Sequence, residues 1–208
     1  MLDLAAVVIG SYLLGSIPFG CLAGRIAGVD IRKCGSGNVG ATNVTRSLGK
    51  SYGYAVFAAD FLKGFAAVKM SILLAARAQP EWISSEMFGI VAAASSVLGH
   101  SFPVWLRFKG GKGVATSAGA LFGLAPVAAF VGVAIWGLTF LLTRYVSVAS
   151  IIAAAALPPI ILLTTWLSHA PGRTLFYSSL FLTAVVIWRH RSNLSRLMCG
   201  TEPRFTRK

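Results

Sequence analysis

The sequence predicts an all-α polytopic membrane protein: a bundle of about seven transmembrane helices, one of them short, N-terminus outside and C-terminus cytoplasmic. Three observations carry this. Hydrophobic residues make up 56% of the chain and charged residues only 12%, so uncharged stretches long enough to cross hydrocarbon recur from end to end. The net charge is +13, and its basic residues sit in short segments between apolar ones, the positive-inside pattern. At 208 residues the whole chain, 1–208, reads as a single membrane domain.

Such a charge in a soluble protein would suggest nucleic acid, but no recognition module is present and that partner is excluded. A basic face does gather anionic substrates and anionic membrane lipids. Cys21, Cys34 and Cys199 form no CxxC pair or zinc spacing and read as unpaired thiols.

The first span is predicted at 4–24, retained as a helix because no basic n-region or small-residue cleavage site accompanies it. Ser16, Gly20 and Gly24 form a small-residue stripe suited to close helix approach, with a kink at Pro18. The loop at 25–50 carries Arg25, Arg32, Lys33, Arg46 and Lys50 against Asp30 alone, so it belongs inside and the N-terminus outside. The second span, 52–76, contains Asp60 and Lys63, three apart and able to pair on one face. An outer loop follows at 77–86, then a third span at 87–106.

From 113 to 143 there is no charge at all. Parity divides that stretch. A single crossing would place the basic tail outside, whereas a short helix at 114–123 and a full span at 126–143 keep it inside. Spans at 147–167 and 174–188 complete the bundle, joined by an outer loop at 168–173. Only Arg77 and Arg173 then lie outside. Five spans plus a re-entrant hairpin would satisfy the same charge rule.

Three polar clusters fall on the cytoplasmic side. The first, GSGNVGATNVTRSLGK at 35–50, sets Ser36, Asn38, Thr42, Asn43 and Arg46 among Gly35, Gly37 and Gly40. Hydroxyls and amides bind phosphate oxygens or sugar-like hydroxyls, and Arg46 offers a bidentate fork. Its G-x-G-x-x-G match is no dinucleotide fingerprint, because no strand precedes it. The second, GHSFPVWLRFKGGKGVAT at 99–116, places Lys109 and Lys112 among Gly110, Gly111 and Gly113, a pattern suited to an anion. It is not a P-loop, since Lys112 precedes Gly113 rather than Ser or Thr. His100 reads as a hydrogen-bonded structural residue. The third cluster, 189–205, spaces His190, Asn193 and Arg196 at three-residue intervals along one predicted helix face.

Missing signatures narrow the chemistry. No paired carboxylates suit a magnesium-bridged phosphotransferase, so no metal site is predicted. No HxxxxD dyad exists, because Trp105, Thr174 and Ser195 stand five residues after the three histidines. No Ser-His-Asp or Cys-His nucleophile set is evident.

In this order, the clusters resemble the bacterial acyl-phosphate-dependent glycerol-3-phosphate acyltransferases, the PlsY family. Further matching pieces are GSIPFG at 15–20, D-x-x-K-G at 60–64, RYVSVAS at 144–150 and H-x-x-N-x-x-R-L-x-x-G-x-E at 190–202. Together they run almost end to end. The resemblance implies acyl transfer from acyl phosphate to the 1-hydroxyl of glycerol-3-phosphate, giving lysophosphatidic acid and phosphate in the first step of phospholipid synthesis. It implies no cofactor, an upstream enzyme supplying acyl phosphate, and an active site on the cytoplasmic side of the bacterial inner membrane. Carried over residue by residue, Ser36, Arg46, Lys112, His190 and Asn193 correspond to the glycerol-3-phosphate pocket. Gly37, Asn38, Gly40, Thr42, Asn43, Lys109, Gly110, Gly111 and Gly113 correspond to phosphate-binding parts, and Lys63 and Ser150 to polar residues lining the cavity. The hydroxyl proton passes either to His190 or to a substrate phosphate.

Two other classes compete. A transporter for a phosphorylated solute would use Asp60, Lys63 and the short helix before Pro126. A lipid-binding scaffold would need only basic loops, with Lys and Arg interchangeable.

Overall fold

The structure, a computed structural model, describes residues 2–78, 83–168 and 172–205. Among these residues every regular element is helical, as predicted. The helices are α1 (Leu2–Ser16), α2 (Phe19–Ile26), α3 (Ala41–Leu48), α4 (Lys50–Ala78), α5 (Ser85–Ser101), α6 (Val114–Leu124), α7 (Pro126–Thr143), α8 (Val146–Leu167), α9 (Arg173–Arg189) and α10 (Arg191–Met198). Single 3-10 turns at Ile31–Lys33 and Val104–Leu106 punctuate the two glycine-rich segments. Parts of both predicted outer loops, 79–82 and 169–171, lie outside the described residues.

Among the described residues, four stretches are long and apolar enough to cross a membrane: Asp3–Ile26, Ser85–Leu106, Pro126–Thr143 and Val146–Leu167. The short apolar helix predicted at 114–123 is α6, and Pro126 starts α7 at its first turn, where a missing N–H costs nothing. Two of these spans, expected at 4–24 and 87–106, are not continuous helices. The first is α1 and α2, because Pro18 interrupts the hydrogen-bond ladder after Ser16. In the third, α5 ends at Ser101 and Pro103 leads into the 3-10 turn.

The chain divides into two compact units, Met1–Leu124 and Ala125–Lys208. In the first, α1 packs on α5, and α4 packs on α3, α5 and α6. Close approach is bought by missing side chains. A Cβ at Gly15 would strike the backbone of Ser96, and one at Gly99 the backbone of Tyr12. Gly64 and Gly119 do the same for α4 and α6, against Thr116 and Phe61 respectively. The predicted stripe of Ser16, Gly20 and Gly24 is thus split by the break, with Gly20 seated on the Val39 carbonyl rather than on a helix.

In the second unit α8 packs on α7 and α9. Pro158, inside α8, has no N–H for the Ala154 carbonyl. Thr183 of α9 donates its hydroxyl to that carbonyl at 2.7 Å, so a polar group freed in an apolar layer finds a partner. Val127, Phe130, Leu138, Leu141 and Leu142 of α7 are exposed, a surface suited to hydrocarbon rather than water.

Candidate active site

The first glycine-rich segment is held by one side chain. Asn43, in the first turn of α3, is 2% exposed. Its Oδ1 accepts the Ser36 N–H at 2.8 Å. Its Nδ2 donates to the carbonyls of Asn38 at 2.9 Å, Cys34 at 3.0 Å and Ile31 at 3.3 Å. Asn38 in turn accepts the Gly40 N–H at 2.8 Å. Gly35 and Gly37 adopt positive φ, 54° and 71°, which a side chain would disfavour. The knot presents Ser36, an exposed residue, beside the start of α3. There the first helical N–H groups lack intrahelical partners and the helix dipole favours an anion. Thr42 and Arg46 lie one turn apart on α3. At the edge of the segment Arg32 donates both side-chain and backbone hydrogen bonds to Asp30, pulling that carboxyl down to about 2.

The second segment folds back on α5. Gly110 N–H donates to the Ser101 carbonyl at 3.2 Å, and Gly111 N–H to His100 at 3.1 Å. A Cβ on Gly110 would strike Pro103, and one on Gly111 the His100 imidazole. Close approach is therefore the structural reason for both glycines. Lys109 is exposed and Lys112 half-buried. Gly113, at φ 80°, turns the chain into α6, so Lys112 stands immediately before a helix N-terminus.

Lys63, expected to line the cavity, is 3% exposed. Its ammonium is 2.7 Å from Asp60 Oδ1 and donates to the Ile17 carbonyl at 3.0 Å. The predicted pairing of Asp60 with Lys63 is observed.

In the second unit His190 sits at the junction of α9 and α10, 2% exposed. Its Nδ1 is 2.8 Å from the Val186 carbonyl. A carbonyl only accepts, so Nδ1 carries a proton and Nε2 is the nitrogen turned away from that contact. Asn193, 5% exposed, donates to Glu202 Oε1 at 2.6 Å. Ser147 donates to the same oxygen at 2.8 Å, and Arg196 Nε to Oε2 at 2.7 Å. Burial is the largest influence on Glu202 and favours its neutral form, but these three donors together outweigh it and hold its pKa below the ordinary value. The chain after α10 reaches Glu202 by returning to the start of α8, where Phe205 N–H donates to Arg144 and Arg204 covers Tyr145. Ser150 donates to Val146 and accepts from Trp136 across α7 and α8.

Glu202, which ends the H-x-x-N-x-x-R-L-x-x-G-x-E run, is the residue to which the sequence assigned no role. Its signal was present: it is the only carboxylate in a tail of basic residues. Among the described residues no three His, Cys, Asp or Glu side chains gather as metal ligands, and the three cysteines are free.

These features, an all-helical apolar fold with polar clusters at helix ends, define an integral membrane protein. Comparison with known proteins makes the class specific. Residues 5–200 match the family described as glycerol-3-phosphate acyltransferase. The glycerol-3-phosphate acyltransferase of Aquifex aeolicus is 44% identical over 205 residues, covering 96% of this chain and 97% of that one. That of Gloeobacter violaceus is 46% identical over 197 residues, covering 93% and 91%. Crystal structures of PlsY, an integral membrane glycerol 3-phosphate acyltransferase, are similar throughout. Its glycerol 3-phosphate form has a TM-score of 0.84 at 42% identity, covering 98% of this chain and 96% of that one. Its lysophosphatidic acid form has a TM-score of 0.82 at the same identity, covering 98% and 95%. The chain belongs to the glycerol-3-phosphate acyltransferase family and is an integral membrane enzyme. The transporter and scaffold readings are set aside.

Proposed function

We propose that this enzyme transfers a fatty acyl group from acyl phosphate to the sn-1 hydroxyl of glycerol-3-phosphate, at the cytoplasmic side of a bacterial inner membrane. The observation that carries the reading is the pair of PlsY forms, one with glycerol 3-phosphate and one with lysophosphatidic acid, on a fold matched over 98% of this chain. They are an acyl acceptor and its acylated product. Seven crossings and a single functional domain, with an upstream enzyme making acyl phosphate, complete the proposal.

Ser36, Arg46, Lys112, His190 and Asn193 form the glycerol-3-phosphate pocket in this reading. Both substrates carry phosphate, so their repulsion must be neutralised before they can meet. Arg46, Lys112 and the α3 N-terminus supply positive potential, with Thr42 and the Asn38–Gly40 turn beside it. The hydroxyl oxygen attacks the acyl carbon, and the bond from that carbon to the phosphate oxygen breaks as phosphate leaves. The hydroxyl proton goes to a substrate phosphate, with His190 Nε2 and Asn193 orienting the hydroxyl. Acyl phosphate is already activated, so proximity and electrostatic stabilisation supply the acceleration without an acyl-enzyme.

Purified protein in detergent tests the reading. Phosphate should appear when palmitoyl phosphate and glycerol-3-phosphate are both present, and EDTA should not change its rate. Lysophosphatidic acid formed only with acyl-CoA as donor, with CoA as the leaving group, or no product at all from folded protein, would overturn it. Near-normal turnover in a folded His190→Asn variant would exclude His190 as the base, whereas His190→Ala should lower activity whichever group takes the proton.

A further inference from the structure

Asp60 and Lys63 form an ion pair buried in the first unit, and His100 completes a polar node with them, at 2%, 3% and 7% exposure. Lys63 and the His100 Nδ1 converge on Asp60 Oδ1, at 2.7 Å and 3.4 Å. Charged groups at this depth are expensive unless paired, and on the proposed mechanism none of the three has a chemical step to perform. What they touch suggests their use.

On one side, the Gly111 backbone lies so close to His100 Nε2 that a Cβ there would overlap it, while Gly111 N–H donates to the His100 carbonyl. The next residue is Lys112. On the other side, Lys63 donates to the Ile17 carbonyl at the break between α1 and α2 and lies over the Phe19 ring. One residue beyond Phe19, Gly20 seats the Val39 carbonyl of the first glycine-rich segment. The cavity at the node is bounded by Asp60, Lys63 and His100 together with Val39 and Pro103, and its volume is about 10 Å³. That is room for about one water molecule and far too little for glycerol-3-phosphate. The node therefore acts through its neighbours rather than on substrate.

We propose that Asp60, Lys63 and His100 are positioning residues that fix the Gly110–Lys112 segment relative to the Val39 segment, and so set the spacing of the groups that hold phosphate. Asp60 holds the imidazole, the imidazole backs Gly111, and Lys63 anchors the same carboxylate to the α1–α2 break. This rests on Lys112 and the Ser36 segment belonging to the glycerol-3-phosphate pocket.

The test is a mutant cycle on His100→Ala and Gly111→Ala, reading KM for glycerol-3-phosphate, kcat and melting temperature in detergent. His100→Ala should raise that KM about tenfold with kcat within about threefold. Gly111→Ala should be worse, because its methyl meets the imidazole. In the double variant the methyl has the vacated space, so its KM should fall back to that of His100→Ala. His100→Gln, which keeps a donor toward Asp60, should recover most of the wild-type KM and serves if His100→Ala does not fold. A melting point lowered by His100→Ala with KM unchanged would overturn the proposal, as would a KM in His100→Gln raised as far as in Gly111→Ala, or a Gly111→Ala defect undiminished in the double variant. Lys112→Ala, measured alongside, separates two failures. An unchanged KM there overturns the pocket assignment, whereas a raised KM there with a normal one in His100→Ala overturns the positioning role alone.

Discussion

Two side chains organise the polar segments of this enzyme, and they do it with different chemistry. Asn43 in the first unit is a neutral amide bonded to backbone: one N–H and three carbonyls from residues 31 to 38. Glu202 in the second is a carboxylate bonded to three side chains, Asn193, Ser147 and Arg196. The first device fixes the path of a loop and is indifferent to pH over the range where carboxylates titrate. The second fixes the orientation of one amide and depends on charge. A loop that must present Ser36 and the start of a helix needs its backbone tied. A residue already on a helix, as Asn193 is, needs only its side chain aimed.

The comparison breaks most sharply at Asn43. Asn43→Ala leaves four backbone groups without their partner, each costing about 1–3 kcal/mol when buried. Thermal unfolding in detergent should show a loss of about 3 kcal/mol or more, with activity falling as the Ser36 segment loosens. A loss below about 1 kcal/mol would mean that Asn43 does not hold the loop.

Glu202→Gln should do less. It keeps an acceptor for Asn193 and Ser147 but surrenders the charge-assisted bond from Arg196, worth about 2 kcal/mol. Arg196→Met should cost a similar amount and lose most of its effect in the Glu202→Gln background, which a double-mutant cycle reads directly.

Acid separates the two devices next. The folded-state pKa of Glu202 lies below its ordinary 4.5, so its contribution is complete above that value and fades as pH falls through the lower folded one. Stability measured downward from pH 6 should therefore decline on entering the region below about 4.5, and part of that decline should vanish in Glu202→Gln. An acid limb of the same size in both proteins would remove Glu202 from the account.

The smallest expected effect is at the α8 proline. Thr183→Val removes the donor to Ala154, for a loss of about 1 kcal/mol, with activity unchanged. A larger change would indicate that α8 straightens when that carbonyl is left alone.

Helix positions were legible in the sequence because hydrocarbon thickness and charge parity constrain them. α6 and α7 were separated by a charge count and a proline alone, and the structure places them at Val114–Leu124 and Pro126–Thr143. The Asp60–Lys63 pair was legible for the same reason, being three residues apart on one helix. The partners of Asn43 and Glu202 were not. Asn43 looks like a ligand in a polar run, and only the folded loop shows its amide engaged by backbone. Glu202 reaches Ser147 across 55 residues, a separation that carries no sequence signature. Composition marks where polar chemistry gathers, whereas tertiary contacts decide which polar groups are already engaged.

The proposed mechanism requires direct transfer between two bound phosphate-bearing substrates. The decisive measurement is a single turnover with enzyme in excess over palmitoyl phosphate, following phosphate release before and after glycerol-3-phosphate is added. Direct transfer predicts no rapid release until the acceptor is present, and then one phosphate per lysophosphatidic acid formed. A stoichiometric burst from palmitoyl phosphate alone, with the acyl group retained on the protein, would establish a covalent intermediate and contradict it.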